Sequence, residues 1–202
     1  MRTLAFVVCL FLWAIPASAA TEVGAVERVR GTCSGSVDGK TRTLTEGAAV
    51  HLDEELTTGP GARLAIKLGD DTVLTLGENA RLTIDTFVFD PGRTSSLQAT
   101  VAGAFRYVSG VMPTGTSREA TVATPVAVIG VRGTNFWGGP IDGGFGVALF
   151  EGSISVTSGG VTTVLEAVGS GVNLPAAGGA PGEATIWLDD KVARALATVT
   201  FE

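Results

Sequence analysis

The chain has 202 residues, of which 28 are glycine, and it carries a formal net charge of −6. An acidic balance with no basic patch interleaved with aromatics argues against nucleic acid and against an anionic lipid surface as partners. One histidine and two cysteines leave little from which to build a metal centre, a histidine-based triad or a disulfide framework.

The N-terminus reads as an address. Arg2 supplies a positive start, residues 4–15 form an almost unbroken apolar run, and Ala17-Ser18-Ala19 gives the small-x-small pattern of a signal peptidase site. The run falls short of the roughly 20 apolar residues a membrane span needs. No second such run follows, and no paired arginines precede the first. The expectation is a cleaved signal peptide at residues 1–19, export by the general secretory route to the periplasm or beyond the cell, and no stable membrane insertion. Cys9 leaves with the leader. Cys33 is then alone, so no intramolecular disulfide forms; it reads either as a small, partly buried side chain or as a reactive or intermolecular thiol.

Short β-runs punctuated by glycine fill residues 20–174. Leu64, Ile66 and Leu68 alternate with Arg63 and Lys67, as a half-buried strand requires. Gly69-Asp70-Asp71 is a turn signal, residues 72–76 return, and residues 81–85 add a third strand of a meander. Residues 101–108 read as a strand interrupted by Gly103, with a polar loop over 109–117. Residues 121–123 and 126–136 read as further strands, followed by a glycine-rich loop at 138–144. Residues 147–150 and 153–156 read as a hairpin about a turn at Glu151-Gly152, and residues 161–165 as the last strand of the domain. Residues 175–183 are a Pro/Gly/Ala linker. The tail at 184–202 offers either a short helix from Asp189 or a strand near residues 197–201. A docked element is expected there, because Ile186, Trp187 and Leu188 would otherwise be exposed. The class that follows is all-β, with many short antiparallel strands in a sandwich-like or short solenoid-like arrangement.

Groups able to do chemistry are sparse, and no enzyme is expected. His51 sits where a strand end enters the acidic turn Asp53-Glu54-Glu55, a structural or surface setting. Asp70-Asp71 reads as the polar tip of a hairpin, because adjacent carboxylates on a strand point to opposite faces. No metal site or cofactor is expected. Oxygen-rich loops can bind calcium weakly, and Asp142 between glycines is the candidate, although Asp-x-Asp-x-Asp-Gly spacing is missing. Trp137, ahead of the glycine-rich loop, is either a rim residue covering the core or a stacking platform and interface anchor.

The most informative segment is Thr124-Pro125-Val126-Ala127-Val128-Ile129-Gly130-Val131-Arg132-Gly133-Thr134-Asn135-Phe136. Glycine inside such a run marks a bulge, a bend or a close backbone approach. An arginine among Val, Ile and Phe must be paired or reach solvent. Arg132 therefore reads either as a strut paired with a carboxylate, Glu151 being the candidate, or as a direct partner contact. This segment resembles the hallmark of the FecR domain family, a Thr-Pro followed by Ala-x-x-Gly-Val-Arg-Gly-Thr-x-Phe. Val23 to Gly31, Leu44-Thr45-Glu46-Gly47 with Leu56-Thr57-Thr58-Gly59-Pro60-Gly61-Ala62-Arg63, Val101-Ala102-Gly103-Ala104-Phe105-Arg106 and Phe150-Glu151-Gly152-Ser153-Ile154-Ser155-Val156 resemble further family segments, in the right order. Gly130, Arg132, Gly133, Thr134, Phe136, Glu151 and Gly152 are the positions that carry the match. The resemblance implies periplasmic signal relay through protein contact, with an envelope or secreted protein as partner. A glycan or small-molecule binding module around Trp137, and a structural or adhesive surface protein, are the rival readings.

Overall fold

Alternation of side chains builds one large sheet and turns its apolar members to a common interior. The structure, a computed structural model, describes residues 20–201 apart from 112, 114 and 116. The leader read at residues 1–19 lies outside the described residues. In chain order the strands are β1 (Glu22–Arg30), β2 (Cys33–Val37), β3 (Lys40–Thr43), β4 (Ala49–His51), β5 (Glu55–Thr58), β6 (Arg63–Leu68), β7 (Val73–Leu76) and β8 (Arg81–Asp90). They continue as β9 (Thr94–Ala102), β10 (Phe105–Val108), β11 (Ser117–Ala123), β12 (Val128–Ile141), β13 (Gly144–Ser158), β14 (Val161–Leu165), β15 (Ser170–Leu174) and β16 (Thr185–Ile186). One helix, α1 (Asp189–Ala197), follows.

The sheet runs β3-β2-β5-β8-β9-β11-β12-β10-β7-β6-β1-β4, and β13, β14, β15 and β16 extend it from β12. Strands from β1 to β15, β3 excepted, send side chains into a single core, among them Val26, Leu56, Ile66, Ile84, Phe105, Ile129, Phe136 and Leu149. A sheet with one shared interior must coil on itself, so the all-β expectation holds. Every described strand pair is antiparallel except β9 with β11, which is parallel in register from Ser117↔Thr94 to Ala123↔Thr100.

Several elements differ from their sequence reading. The interruption read at Gly103 is present and goes further than expected, ending one strand and starting another: β9 pairs with β8 and β11 while β10 pairs with β7 and β12. The glycine-rich loop expected at 138–144 is mostly strand. Gly138 and Gly139 lie within β12 because their bare backbones pack on the Phe105 ring and on Ala104, where a Cβ would stand 2.7 and 2.8 Å away. Only Asp142-Gly143 turns, with φ of 52° and 78°, the positive pair that a two-residue hairpin requires. The hairpin expected about Glu151-Gly152 is instead a bulge within the unbroken β13. Strand β15, which carries Gly171, and the two-residue β16 have no counterpart in the sequence reading. Asp70 is no exposed tip: it is buried, receiving hydrogen bonds from the Ser95 hydroxyl (2.7 Å) and the Thr72 N–H (3.0 Å). Its neighbour Asp71 takes the exposed turn position and meets Lys67 at 3.4 Å.

Candidate protein-docking face

The hallmark segment begins as a locked turn. The Thr124 hydroxyl donates to the Ala127 carbonyl (2.9 Å) and accepts the Ala127 N–H (3.0 Å), while Pro125 restricts the backbone between them. From there β12 alternates. Ile129 and Val131 point into the core, and Val128, Gly130 and Arg132 point outward. Register places Gly130 beside Thr121 of β11 and Ser155 of β13, and Ser155 beside Val164 of β14. The Ser155 hydroxyl lies 2.6 Å from where a Gly130 Cβ would be, so a side chain there would push the hydroxyl aside and raise the floor of this face. The result is a groove of about 530 Å³ floored by Gly130, Thr121 and Ser155, with Arg132, Val164 and Glu166 around it.

The Arg132 side chain is exposed and forms no ion pair or hydrogen bond with a described residue. The strut to Glu151 is therefore corrected. Arg132 pairs in register with Ser153, whereas Glu151 faces Asn135 across the irregularity at Gly133 and Thr134, which carries the two charges apart. That irregularity is built from two glycines. Gly152 (φ 76°) and Gly133 (φ 56°) stand so close that a Gly152 Cβ would overlap the Gly133 carbonyl oxygen. Thr134 pins the bulge to the neighbouring loop, its N–H donating to the Ser109 hydroxyl at 2.9 Å and its carbonyl accepting the Ser109 N–H at 2.9 Å. Phe136 returns to the core, stacked on Tyr107 at 5.4 Å and edge-on to Phe105 at 5.7 Å.

Past the bulge, β12 presents Trp137, and here the binding expectation meets a different environment. Trp137 is fully buried beneath α1, its indole N–H donating to the Thr198 hydroxyl at 3.0 Å. A side chain without exposed surface is no stacking platform in this conformation. Asp142 is also committed. Hydrogen bonds from Arg194 (2.7 Å) and then Lys191 (3.0 Å) hold its carboxyl below the ordinary carboxylate range. The structure thus brings Gly130 and Arg132 together on one face, and Trp137 and Asp142 on another.

The open edges of the sheet decide where a strand could be added. β3, β4, β14 and β16 each pair with a single neighbour among the described strands. β3 carries Lys40 and Arg42, charges of the kind that guard an edge, while β4 and β16 have only 3 and 2 residues. β14 has 5 residues and no charge, with Val161 and Val164 exposed at 45% and 54%. An unguarded edge beside a flat groove is what strand addition needs. Nothing in the sequence reading singled out β14, because its openness depends on which strands pair.

The remaining chemistry is structural in geometry. Glu54 is buried, gripped by Arg42 at 2.8 and 2.9 Å, by the His51 N–H at 3.1 Å and by the His51 ring at 3.2 Å. Cys33 is buried, and burial pushes its thiol pKa up. Among the described residues no three His, Cys, Asp or Glu side chains gather as a metal site.

A family model described as FecR protein matches residues 54–155, half of the chain, including the whole hallmark segment. Two crystal structures of a candidate anti-sigma factor from Parabacteroides distasonis ATCC 8503, at 1.65 and 2.50 Å resolution, superpose on this fold. Each gives a TM-score of 0.56 at 19% identity over 70% of this chain, and over 64% and 63% of theirs. The match therefore spans less than two thirds of that protein's length, and at this identity the likeness is one of fold. No curated protein matches the chain.

Proposed function

The chain belongs to the FecR protein family, and from that premise we propose that it is an exported, non-catalytic β-domain that binds a protein in the cell envelope. The partner adds an extended strand to β14 and lays its side chains across the groove floored by Gly130 and Ser155. Main-chain hydrogen bonds supply affinity; Arg132, Glu166 and Val164 supply selectivity. The single observation that supports this reading is the coincidence of the family's hallmark residues with the uncharged open edge of the sheet. A role in signal relay follows from the family and fits a domain whose contact with a partner is itself the message.

The test is a crosslinking pull-down from envelope fractions with the mature chain, whose mass should correspond to cleavage after Ala19. Val164→Lys and Arg132→Ala should lose a partner that the wild type and a Lys40→Ala control on β3 both retain. Equal capture by all four chains would refute the assigned surface.

A further inference from the structure

The C-terminal half of β12 carries a second face, and the chain's own tail covers it. Trp137, Ala104, Ala148, Trp187, Ala195 and Val199 form a cluster separate from the main core. Trp187 drops into a slot that glycines leave open: a Cβ on Gly146 would stand 2.7 Å from its ring, and one on Gly171 would overlap it. The two indoles meet edge to face at 6.2 Å. Asp142 at the groove's rim receives Arg194 and Lys191, and the Lys191 ammonium also sits 4.1 Å over the Trp187 ring. What the face receives is therefore visible: an amphipathic helix with a tryptophan ahead of its first turn and two cations on one flank.

The tail is fixed where β16 pairs with β15, where the Trp187 N–H meets the Gly169 carbonyl and where Thr198 accepts the Trp137 indole N–H, but the helix between these points is lightly held. α1 has 9 residues, below the length at which a helix persists alone, and Leu188 at its N-cap offers no side-chain cap. Ala195 is its one fully buried residue. The Arg194 pair to Asp142 is solvent-exposed, a class that contributes little, while the Lys191 side chain is only 16% exposed. Trp187 buries its indole N–H with no acceptor among the described residues, an unmet bond that release into water satisfies. Ile186 and Leu188, exposed at 65% and 75%, flank the seat and give an incoming chain an apolar landing point.

We propose that residues 184–201 are a displaceable strap occupying a helix-receiving groove. Its competitor in trans is a partner protein's amphipathic helix bearing an aromatic and two basic residues at the spacing of Trp187, Lys191 and Arg194. Charge complementarity with Asp142 selects a cationic helix. The strap keeps the face closed until such a helix arrives, and the two faces of β12 then serve different contacts.

The test uses the full chain and a fluorescent synthetic peptide of residues 184–202. A Lys191→Glu/Arg194→Glu chain, whose own strap is repelled by Asp142, should bind the peptide at least about tenfold tighter than the wild type, because a vacated site removes the cost of displacement. Adding Asp142→Lys to that chain should restore its own strap and abolish peptide binding. In the wild type, α1 amides should exchange with deuterium about a hundredfold faster than those of β12 and β13, as a separately opening unit does. Peptide binding to none of the chains, or exchange of α1 in step with the sheet, would overturn the proposal. A strap-exchanged dimer that excludes the peptide would also overturn it, by making a second copy the occupant.

Discussion

At the residue scale, two glycines do what no other side chain can. Gly152 holds a left-handed backbone against the Gly133 carbonyl, and the bulge they form lets β13 run from the side of Gly130 to the side of Trp137 as one strand. Gly152→Ala should cost about 1–2 kcal/mol from the backbone alone, with the collision added, and thermal melting should show a drop of several degrees. Glu54 makes a second prediction. Burial pushes its carboxyl pKa up, but hydrogen bonds from Arg42 and His51, with the Arg42 charge, outweigh that and set it below the ordinary 4.5. A carboxylate depressed on folding contributes stability that is complete above its unfolded value and lost as pH falls through its folded one. Wild-type stability should therefore fall with acid below about pH 4.5, and Glu54→Gln should flatten that slope while lowering stability at neutral pH; identical acid slopes in denaturant melts would contradict it. Individual residues were the hardest to read from sequence. Trp137 sits on an outward position, and its burial depends on a helix fifty residues further along the chain.

Elements were legible where pattern and pairing agree. β6 and β7 follow from strict alternation around a turn signal, and α1 begins at Asp189, where helical spacing begins. They were misread where glycine served packing instead of turning. Gly138-Gly139-Pro140 and Glu151-Gly152 look like loops by composition, yet both lie inside long strands because Phe105, Ala104 and the Gly133 carbonyl leave no room for a Cβ. The edge status of β14 was invisible for a different reason, since local sequence carries no record of which neighbours a strand lacks. Val164→Lys places a charge on that edge without entering the core, so its melting temperature should match the wild type within about a degree, a surface change of this kind costing little. A large loss of stability would show that Val164 supports the fold and is not a docking residue.

At the scale of the whole molecule, one coiled sheet carries two outward faces on opposite halves of β12. The first is flat, bordered by an uncharged edge and made from the residues that define the family; the second is closed by the chain's own helix. The hallmark's conspicuous arginine is spent on neither core nor fold: Arg132 stands free at the groove among the described residues. The all-β class followed from glycine-punctuated alternation, whereas the coiling of the sheet on one core, and the parallel pair of β9 with β11, required long-range pairings that no local signal encodes. Protein contact through the first face is the claim on which the functional account rests. The most direct test is a photocrosslinking side chain introduced at position 164 of β14 and, in a separate chain, at position 40 of the charged edge β3, each irradiated in envelope preparations. The account predicts a discrete protein adduct from position 164, competed by unlabelled wild-type chain, and none from position 40. Adducts of equal yield from both positions, or none from position 164, would contradict it.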